Sequence, residues 1–347
     1  MEPFFISQRA INQSKKPFII AEMSGNHNQS FDHALSIIKS AAACGVDALK
    51  LQTYTPDTIT LNSKKDDFKI INPDSLWSNR YLYDLYRDAY TDWDWVKDIM
   101  LECSKYGLTC FSSVFDETSV EFMEDLNTPA YKIASFENNH IPLIRKVAST
   151  GKPLIISSGT ASEDEIDEAV DTARAAGCTE LALLKCTSDY PADVGDSNLL
   201  SIPYMRQKFC CEIGLSDHSM GIGVSVASVA LGATIIEKHF TSDKSLGGVD
   251  ASFSADPVEM KSLVTECQNA WKSLGNISFD LSEKEKLNIQ FRRSIYASEK
   301  IKKGDIFTKR NIKVVRPGFG AHPRYYATLL GKCSDRNFDF GEPIKIN

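Results

Sequence analysis

The sequence predicts a (β/α)8 barrel (a TIM barrel) followed by a small C-terminal domain. Eight short apolar runs alternate with helical segments over roughly 260 residues, which is close to the usual size of such a barrel. The pattern then changes to polar and charged sequence near Asn276. An open, doubly wound sheet is the other α/β architecture to consider, but it usually has fewer strands, and no GxGxxG follows the first run.

The predicted strands are short apolar runs rich in β-branched residues and bounded by polar or turn-forming residues. They cover residues 17–24, 48–54, 108–115, 130–135, 153–158, 181–187, 211–216 and 234–240. Eight such runs, each followed by a connecting segment, are the number that a closed barrel needs.

The segments between these runs show helical periodicity. Apolar residues at helical spacing in the first segment are Ala34, Ile37, Ile38, Ala41 and Ala42, and Gly45 ends it. A second helix is predicted over 94–106. Ser162 followed by Glu165 forms a capping box that begins another helix, and the last barrel helix is predicted over 258–274.

Three regions follow from this pattern: a barrel over 1–278, a linker over 279–290 and a small domain over 291–347. The segment SFDLSEKEKLNIQ is polar and charged, as in a linker or a connecting helix. The small domain has room for only a thin core. We therefore expect it to pack against another surface, in its own chain or in a neighbouring one.

Composition indicates a soluble cytoplasmic enzyme. Hydrophobic residues make up 42% and charged residues 24%, with a net charge of −7 and no basic block, which argues against a nucleic-acid partner. No run approaches the ~18 apolar residues of a membrane span, and the N-terminus lacks a signal-peptide pattern. The nine cysteines are scattered without a CxxC motif, as expected of reduced thiols.

Active sites of barrels form where the strands end. The polar residues at the ends of the predicted strands are Glu22, Lys50, Gln52, Ser112, Ser113, Lys132, Ser135, Ser157, Ser158, Lys185, Ser188, Tyr190, Ser216, Asp217, His218, Glu237, Lys238 and His239. Lysines beside several serine hydroxyls are typical of a site for an anionic substrate. Any single lysine has the alternative of a structural ion pair.

His218 and His239 end the seventh and eighth strands, so they should lie close together. Two imidazoles with carboxylates or waters suit Mn²⁺, Fe²⁺, Co²⁺ or Zn²⁺. A purely structural role is the common alternative for a histidine. His27, just past the first strand, is also expected at the barrel mouth.

The segments IAEMSGNHNQ, DALKLQTY, YKIAS, GLSDH, EKHF and RPG, in this order, resemble the sialic acid synthase family over nearly the whole chain. The resemblance implies a phosphoenolpyruvate-condensing barrel joined to an antifreeze-like (SAF) domain that crosses a domain-swapped homodimer. The SGNHNQ loop, the insert SLWSNRYLYDLYRDAYTDWDW and the segment KCTSDYP resemble the pseudaminic acid synthase subgroup. N-acetylneuraminic and legionaminic acid synthases are the other subgroups.

The resemblance also implies roles for individual residues. Those expected to bind phosphoenolpyruvate are Lys50, Ser113, Lys132, Ser135, Ser157 (or its neighbour Ser158), Ser188 and Ser216. His218 and His239 are expected to hold Mn²⁺, Mg²⁺ or Co²⁺. Catalytic roles are implied for Glu22, Gln52, Tyr190, Asp250 and Arg316, and contacts to the sugar for Asn28, Glu137, Tyr190, Asp250 and Arg316.

The implied reaction joins C3 of phosphoenolpyruvate to the aldehyde of an open-chain acylated amino sugar, adds water at C2 and releases phosphate by C–O cleavage. The expected sugar is 2,4-diacetamido-2,4,6-trideoxy-L-altrose, whose methyl groups Trp77, Tyr81 or Tyr83 are expected to cover. A Schiff-base aldolase with Lys132 as nucleophile is a rival enzyme. A non-catalytic binding protein is the rival from another class.

Overall fold

Eight parallel strands close into a barrel in the order of the chain, which confirms the predicted fold class. The structure is a computed structural model and describes residues 4–346. The strands are β3 (Phe18–Glu22), β4 (Ala48–Thr53), β5 (Thr109–Val114), β6 (Tyr131–Ile133), β7 (Leu154–Ser157), β8 (Leu181–Cys186), β9 (Glu212–Asp217) and β10 (Ile235–His239). The ring closes where β10 pairs with β3, with His239 opposite Glu22.

Side chains along each strand alternate between the inside and the outside of the barrel. The outward ones form a large core with the helices, exemplified by Ile19, Leu49 and Ile236. The inward ones form a separate buried layer of Phe18, Ile20, Ala48, Phe111, Ala130, Ile155, Ala182, Leu184 and Ile235. This alternation decides which polar residues reach the barrel interior.

An N-terminal hairpin, not foreseen from the sequence, precedes the barrel. Its strands are β1 (Phe4–Ile6) and β2 (Arg9–Ile11). Phe4, Ile6 and Ile11 join the inward apolar layer and so close the amino-terminal end of the barrel. Strands of three residues are too short for alternation to be recognised in a sequence.

The helices of this part are α1 (Phe31–Cys44), α2 (Pro56–Ile59), α3 (Leu82–Ala89), α4 (Trp93–Lys105), α5 (Glu117–Asp125), α6 (Ile141–Ala148), α7 (Glu163–Ala175), α8 (Ser201–Phe209), α9 (Gly223–Ala230) and α10 (Pro257–Leu274). Two helix ends that the sequence predicts are present in the structure. The Ser162 hydroxyl accepts a hydrogen bond from the Glu165 N–H, and Glu165 Oε2 accepts one from the Ser162 N–H, as the predicted capping box requires. Gly45, with φ +83°, ends α1.

The described chain divides into two units after Gly275. The second unit begins with an exposed segment that contains α11 (Glu283–Asn288) and continues with β11 (Ser294–Ala297), β12 (Ile312–Val315) and α12 (Tyr326–Leu329). Its small core consists of Ile295, Ala297, Ile301, Phe307, Ile312, Phe338 and Ile344. Within residues 4–346, no helix is both long and apolar enough to cross a membrane.

Candidate active site

A ring of polar side chains lies one step beyond the inward apolar layer. Adding two positions to the inward residue of each strand gives Glu22, Lys50, Ser113, Lys132, Ser157, Cys186, Ser216 and Glu237, and all eight are buried. Side chains two positions apart share a face of a strand. The barrel therefore collects them at its carboxyl end, together with Gln52, His218 and His239 in the next layer.

Two lysines and two glutamates form the charged centre of this ring. Lys50 Nζ lies 2.6 Å from Glu22 Oε2 and 3.6 Å from Glu237 Oε1, and it donates a hydrogen bond to Ser113 Oγ at 2.8 Å. Lys132 Nζ lies 3.4 Å from the same oxygen of Glu237. The two ammonium groups thus converge on one carboxylate, which an anionic substrate could replace as their counter-ion.

The two glutamates of this centre differ in acidity. Burial raises the pKa of Glu22 above its usual range, and the nearby Lys50 only partly offsets it. Burial also acts on Glu237, but Lys132 and Lys50 together outweigh it and lower the pKa of that carboxyl. Glu237 is therefore the fixed anion, whereas Glu22 can gain or lose a proton near neutral pH. Gln52 Nε2 orients Glu22 with a hydrogen bond of 3.0 Å.

The two predicted metal ligands lie side by side, with ring centroids 5.4 Å apart. His218 Nδ1 is 2.8 Å from the Thr187 carbonyl, which fixes that nitrogen as a donor and leaves Nε2 free. His239 Nδ1 is buried without a hydrogen-bond partner and lies 3.8 Å from Asp250 Oδ2. Burial holds the pKa of His239 well below its usual range, so its imidazole is neutral, as a metal ligand must be.

Gly159 leaves room for two of the predicted phosphoenolpyruvate-binding serines. A Cβ atom at this position would lie 2.1 Å from Ser188 Oγ and 2.6 Å from Ser135 Oγ. A methyl group there would have to displace both hydroxyls. The missing side chain therefore lets the two hydroxyls approach the loop closely, and these three residues are called the cradle.

Asn138 holds the same loop in place. Its buried side-chain amide donates hydrogen bonds to the Ser157 carbonyl at 3.2 Å and to the Gly159 carbonyl at 2.8 Å. Ser157 Oγ is buried and has no hydrogen-bond partner, so it is free to bind a ligand. Ser157 shares the inward face with Ile155, which favours Ser157 over Ser158 as the inward serine.

A cavity of about 310 Å³ opens beside the charged centre. Its polar lining residues are Ser24, Gln52, Ser135, Glu137, Tyr190, His239 and Asp250, and its largely apolar ones are Tyr54, Ile59, Ile70, Trp77, Leu82, Leu85, Tyr86, Ala89, Phe115, Ala134, Phe136 and Val249. Burial raises the pKa of Glu137 to about 7, and Lys132 opposes that shift. Burial also raises the pKa of Asp250 to about 6, opposed by a hydrogen bond from Ser24.

Tyr190 covers the histidines from the side of this cavity. Its ring centroid lies 4.4 Å from that of His218 and 6.2 Å from that of His239. Trp77 and Phe253 pack against Tyr190 at 5.6 and 5.3 Å. The resulting aromatic wall limits access of water to the imidazoles.

Two of the four strand-end lysines point away from the mouth. Lys185 and Lys238 share the outward face of their strands with Leu183 and Ile236. Lys185 Nζ donates to the Cys186 carbonyl, and Lys238 Nζ pairs with Asp217 at 3.1 Å. These lysines satisfy local groups and do not contribute to the charged centre.

Other sequence-based expectations differ from the structure. The prediction for His27 is wrong, because it is buried and its nitrogens contact Thr91 Oγ1 and the Gln29 N–H. Three aromatic residues, Trp77, Tyr81 and Tyr83, were expected to cover methyl groups of the sugar. Trp77 lines the cavity, and the other two do not. Tyr83 bonds to Asp57, and the Tyr81 ring lies under Lys64.

Asn28 lies outside the charged centre, and Arg316 belongs to the second unit. Asn28 donates through its side chain to the carbonyls of Leu246 and Gly247, and it borders a neighbouring groove with Trp77. Arg316 is exposed in the second unit, directly after β12.

The sequence places Glu237 among the polar strand ends but assigns it no role, and it does not point to four other contributors. They are Cys186, Gly159, Asn138 and Phe253. Counting in steps of two from the inward apolar residues identifies Glu237 and Cys186. The sequence carries no comparable signal for the other three, which depend on how loops approach one another.

Comparison with known proteins gives consistent matches. The NeuB family model matches residues 37–279, and the SAF domain model matches residues 292–347. The pseudaminic acid synthase of Campylobacter jejuni is 46% identical over 334 residues, covering 96% of this chain and 97% of that protein. The pseudaminic acid synthase of Helicobacter pylori is 39% identical, covering 95% and 97%. A crystal structure of the N-acetylneuraminic acid synthetase of Leptospira borgpetersenii has a TM-score of 0.73 at 30% identity, covering 84% of this chain and 96% of that one.

Proposed function

The chain belongs to the NeuB family, and from this premise we propose that it is a pseudaminic acid synthase that condenses phosphoenolpyruvate with 2,4-diacetamido-2,4,6-trideoxy-L-altrose. The observation that carries the proposal is the high identity, over nearly the full length, to two proteins named pseudaminic acid synthases. The charged centre of the barrel supports the same chemistry.

Phosphoenolpyruvate needs cations and hydroxyl donors, and the inward ring supplies both. Lys50 and Lys132 provide two buried ammonium groups. The hydroxyls of Ser135 and Ser188, which approach each other at Gly159, can both donate hydrogen bonds to an oxyanion. Ser113, Ser157 and Ser216 complete the proposed set. An anionic group of the substrate would contact both lysines, which also contact Glu237.

The reaction forms one C–C bond between C3 of phosphoenolpyruvate and the sugar aldehyde carbon. The aldehyde oxygen gains a proton, water adds to C2, and the C2–O bond to phosphate breaks. Glu22 is the residue best suited to accept or donate a proton, because its pKa is raised and both Lys50 and Gln52 orient it. We propose that Glu137, Asp250 and Tyr190 bind the sugar hydroxyls and amides from the cavity.

We propose that His218 and His239 hold a divalent cation, Mn²⁺, Mg²⁺ or Co²⁺. The unpartnered Nδ1 of His239 and the free Nε2 of His218 support this assignment. Among the residues described, no group of three or more His, Cys, Asp or Glu side chains forms a metal site, so two imidazoles are the protein's contribution. When bound, the metal would polarise the aldehyde oxygen as a Lewis acid.

We also propose a homodimer in which the SAF domain of one chain offers Arg316 to the site of the other. The segment before that domain carries apolar side chains that are almost wholly exposed, Ile277 at 101% and Phe279 at 98%. Exposed apolar side chains of this kind mark interaction surfaces. A second copy of the chain is the partner that the family resemblance implies.

A substrate panel tests the function. Phosphate release would be measured with phosphoenolpyruvate, Mn²⁺ and each of three sugars: the trideoxy L-altrose derivative, the sugar leading to legionaminic acid, and N-acetylmannosamine. We expect the highest kcat/KM with the L-altrose derivative. A higher value with N-acetylmannosamine would overturn the subgroup. Covalent trapping on Lys132 by borohydride would instead favour the Schiff-base aldolase.

A further inference from the structure

The cavity beside the charged centre is lined by two chemically different sets of residues. Gln52, His239 and Asp250 are among its polar lining residues. An apolar wall, defined here as Ile59, Ile70, Leu82, Leu85 and Phe115, also lines the cavity. Four of its five members come from one stretch, residues 56–90, that joins β4 to α4. Most of the wall therefore belongs to this insertion, residues 56–90, whereas Phe115 directly follows β5.

Hydrogen bonds within the protein hold this insertion in place. The Ile70 N–H donates to the Arg80 carbonyl at 2.9 Å, and the Ile70 carbonyl accepts from the Asn79 N–H at 2.8 Å. Trp77 Nε1 donates to the Val249 carbonyl at 2.9 Å, which ties the insertion to the loop after β10. Contacts within the protein thus hold the insertion that carries most of the wall.

Close packing at Gly25 also holds the insertion against the barrel. A Cβ atom at Gly25 would lie 2.5 Å from Val249 Cγ2 and 3.0 Å from the Ala89 carbonyl oxygen. The first loop, the end of the insertion and the loop after β10 therefore meet without room for a side chain. This contact holds the end of the insertion beside the first loop and the loop after β10.

We propose that the apolar wall is the specificity element that receives the methyl-bearing end of the sugar, with Ile70 and Leu82 in contact with the C6 methyl or the C4 acetamido methyl. This inference rests on the proposed function. In this proposal the aldehyde carbon lies beside Gln52 and His239, and the C4–C6 end contacts the wall. Burial of methyl groups against the wall favours binding because it removes apolar surface from water. A C6 hydroxyl would instead lose its hydrogen bonds to water.

Two sugars that differ at one position test the wall: the 2,4-diacetamido-2,4,6-trideoxy substrate and the same sugar with a C6 hydroxyl. The wild-type enzyme should prefer the 6-deoxy sugar by about 10- to 100-fold in kcat/KM, because an unpaired buried hydroxyl costs that much. Leu82→Asn and Ile70→Asn should each reduce this preference at least about fivefold, since an amide can pair with the hydroxyl. The KM for phosphoenolpyruvate should not change.

Leu61→Asn is the matched control, since Leu61 belongs to the same insertion but is 65% exposed and does not line the cavity. Leu82→Met, which keeps the volume and the apolar character, should keep the wild-type preference. A wild-type enzyme that uses neither diacetamido sugar overturns the proposed function. If the wild-type enzyme uses both sugars, and if Leu82→Asn and Ile70→Asn keep the wild-type preference between them, the proposed role of the wall is wrong. The proposed function would stand in that case.

Discussion

Lys50 Nζ lies 2.6 Å from Glu22 Oε2, and both side chains are buried inside the barrel. Removing one partner of a buried ion pair leaves the other charge without compensation, which is more costly than losing an exposed pair. Lys50 is shared between Glu22 and Glu237, so its removal affects both carboxylates. The pair therefore links substrate binding to the protonation of the proposed proton-transfer residue.

Lys50→Ala should weaken phosphoenolpyruvate binding by about 2–3 kcal/mol, because a charge-assisted contact is lost in a dry site. Lys50→Arg should restore only part of it, since a planar guanidinium replaces a compact ammonium. Equilibrium binding of phosphoenolpyruvate would measure both effects. Lys185→Ala is the matched control, because Lys185 faces outward on β8. Wild-type affinity in both Lys50→Ala and Lys132→Ala would place the pocket elsewhere.

Gly159→Ala should raise the KM for phosphoenolpyruvate at least about tenfold while the protein stays folded. The added methyl would enter the space between Ser135 and Ser188, but φ at Gly159 lies outside the left-handed region, so the backbone accepts alanine. Steady-state kinetics and thermal unfolding together check this. Gly223→Ala, with open space around its Cβ position, should leave both unchanged. An unaltered KM in Gly159→Ala would show that no ligand uses the cradle.

The barrel and its inward ring were largely predictable because both follow short periodicities. The eight strands were found from apolar runs, and a period of two places Lys50 and Lys132 inward. The same rule, applied strictly, would have excluded Lys185 and Lys238. His27 was misplaced because residues after a strand end follow loop geometry, which the period does not describe. The sequence did not predict Gly159 and Asn138 for the same reason. Their roles arise from contacts between loops that are distant in sequence.

Glu137→Gln should change how stability depends on pH. The pKa of Glu137 is raised to about 7, so the folded protein binds this proton more tightly than the unfolded chain. The free energy of unfolding therefore falls as pH rises from the unfolded pKa, about 4.3, to about 7. Glutamine does not titrate, so the variant does not undergo this loss. Between pH 5 and pH 8, the free energy of unfolding should therefore fall by up to about 3 kcal/mol less in the variant than in wild type.

Urea unfolding at pH 5 and pH 8 measures that difference. Glu168→Gln is the control, because Glu168 is exposed on α7 and should leave the pH dependence unchanged. Equal pH dependence in Glu137→Gln and wild type would mean that Glu137 is hydrated or paired in solution, and that its acidity does not bear on sugar binding.

Chelation with EDTA should abolish turnover, and Mn²⁺, Co²⁺ or Mg²⁺ should restore it. Calorimetric titration with Mn²⁺ gives a readout independent of activity: His218→Ala and His239→Ala should lose the binding isotherm and keep the wild-type circular dichroism spectrum. His33→Ala is the matched control, since His33 contacts Ser242 on the outside of the barrel mouth. Full activity in exhaustively chelated enzyme would refute a metal requirement.

Mixing two inactive variants should restore activity if the SAF domain serves its partner. Arg316→Ala keeps an intact barrel, and Glu22→Ala keeps an intact SAF domain. In a swapped heterodimer, one of the two sites combines the intact parts. Random exchange makes half of the dimers mixed, so about a quarter of wild-type activity should return. Arg293→Ala, which changes another arginine of the second unit, should be active alone and serves as the control. If heterodimers form, as mass spectrometry would show, and no activity returns, then each SAF domain serves its own barrel.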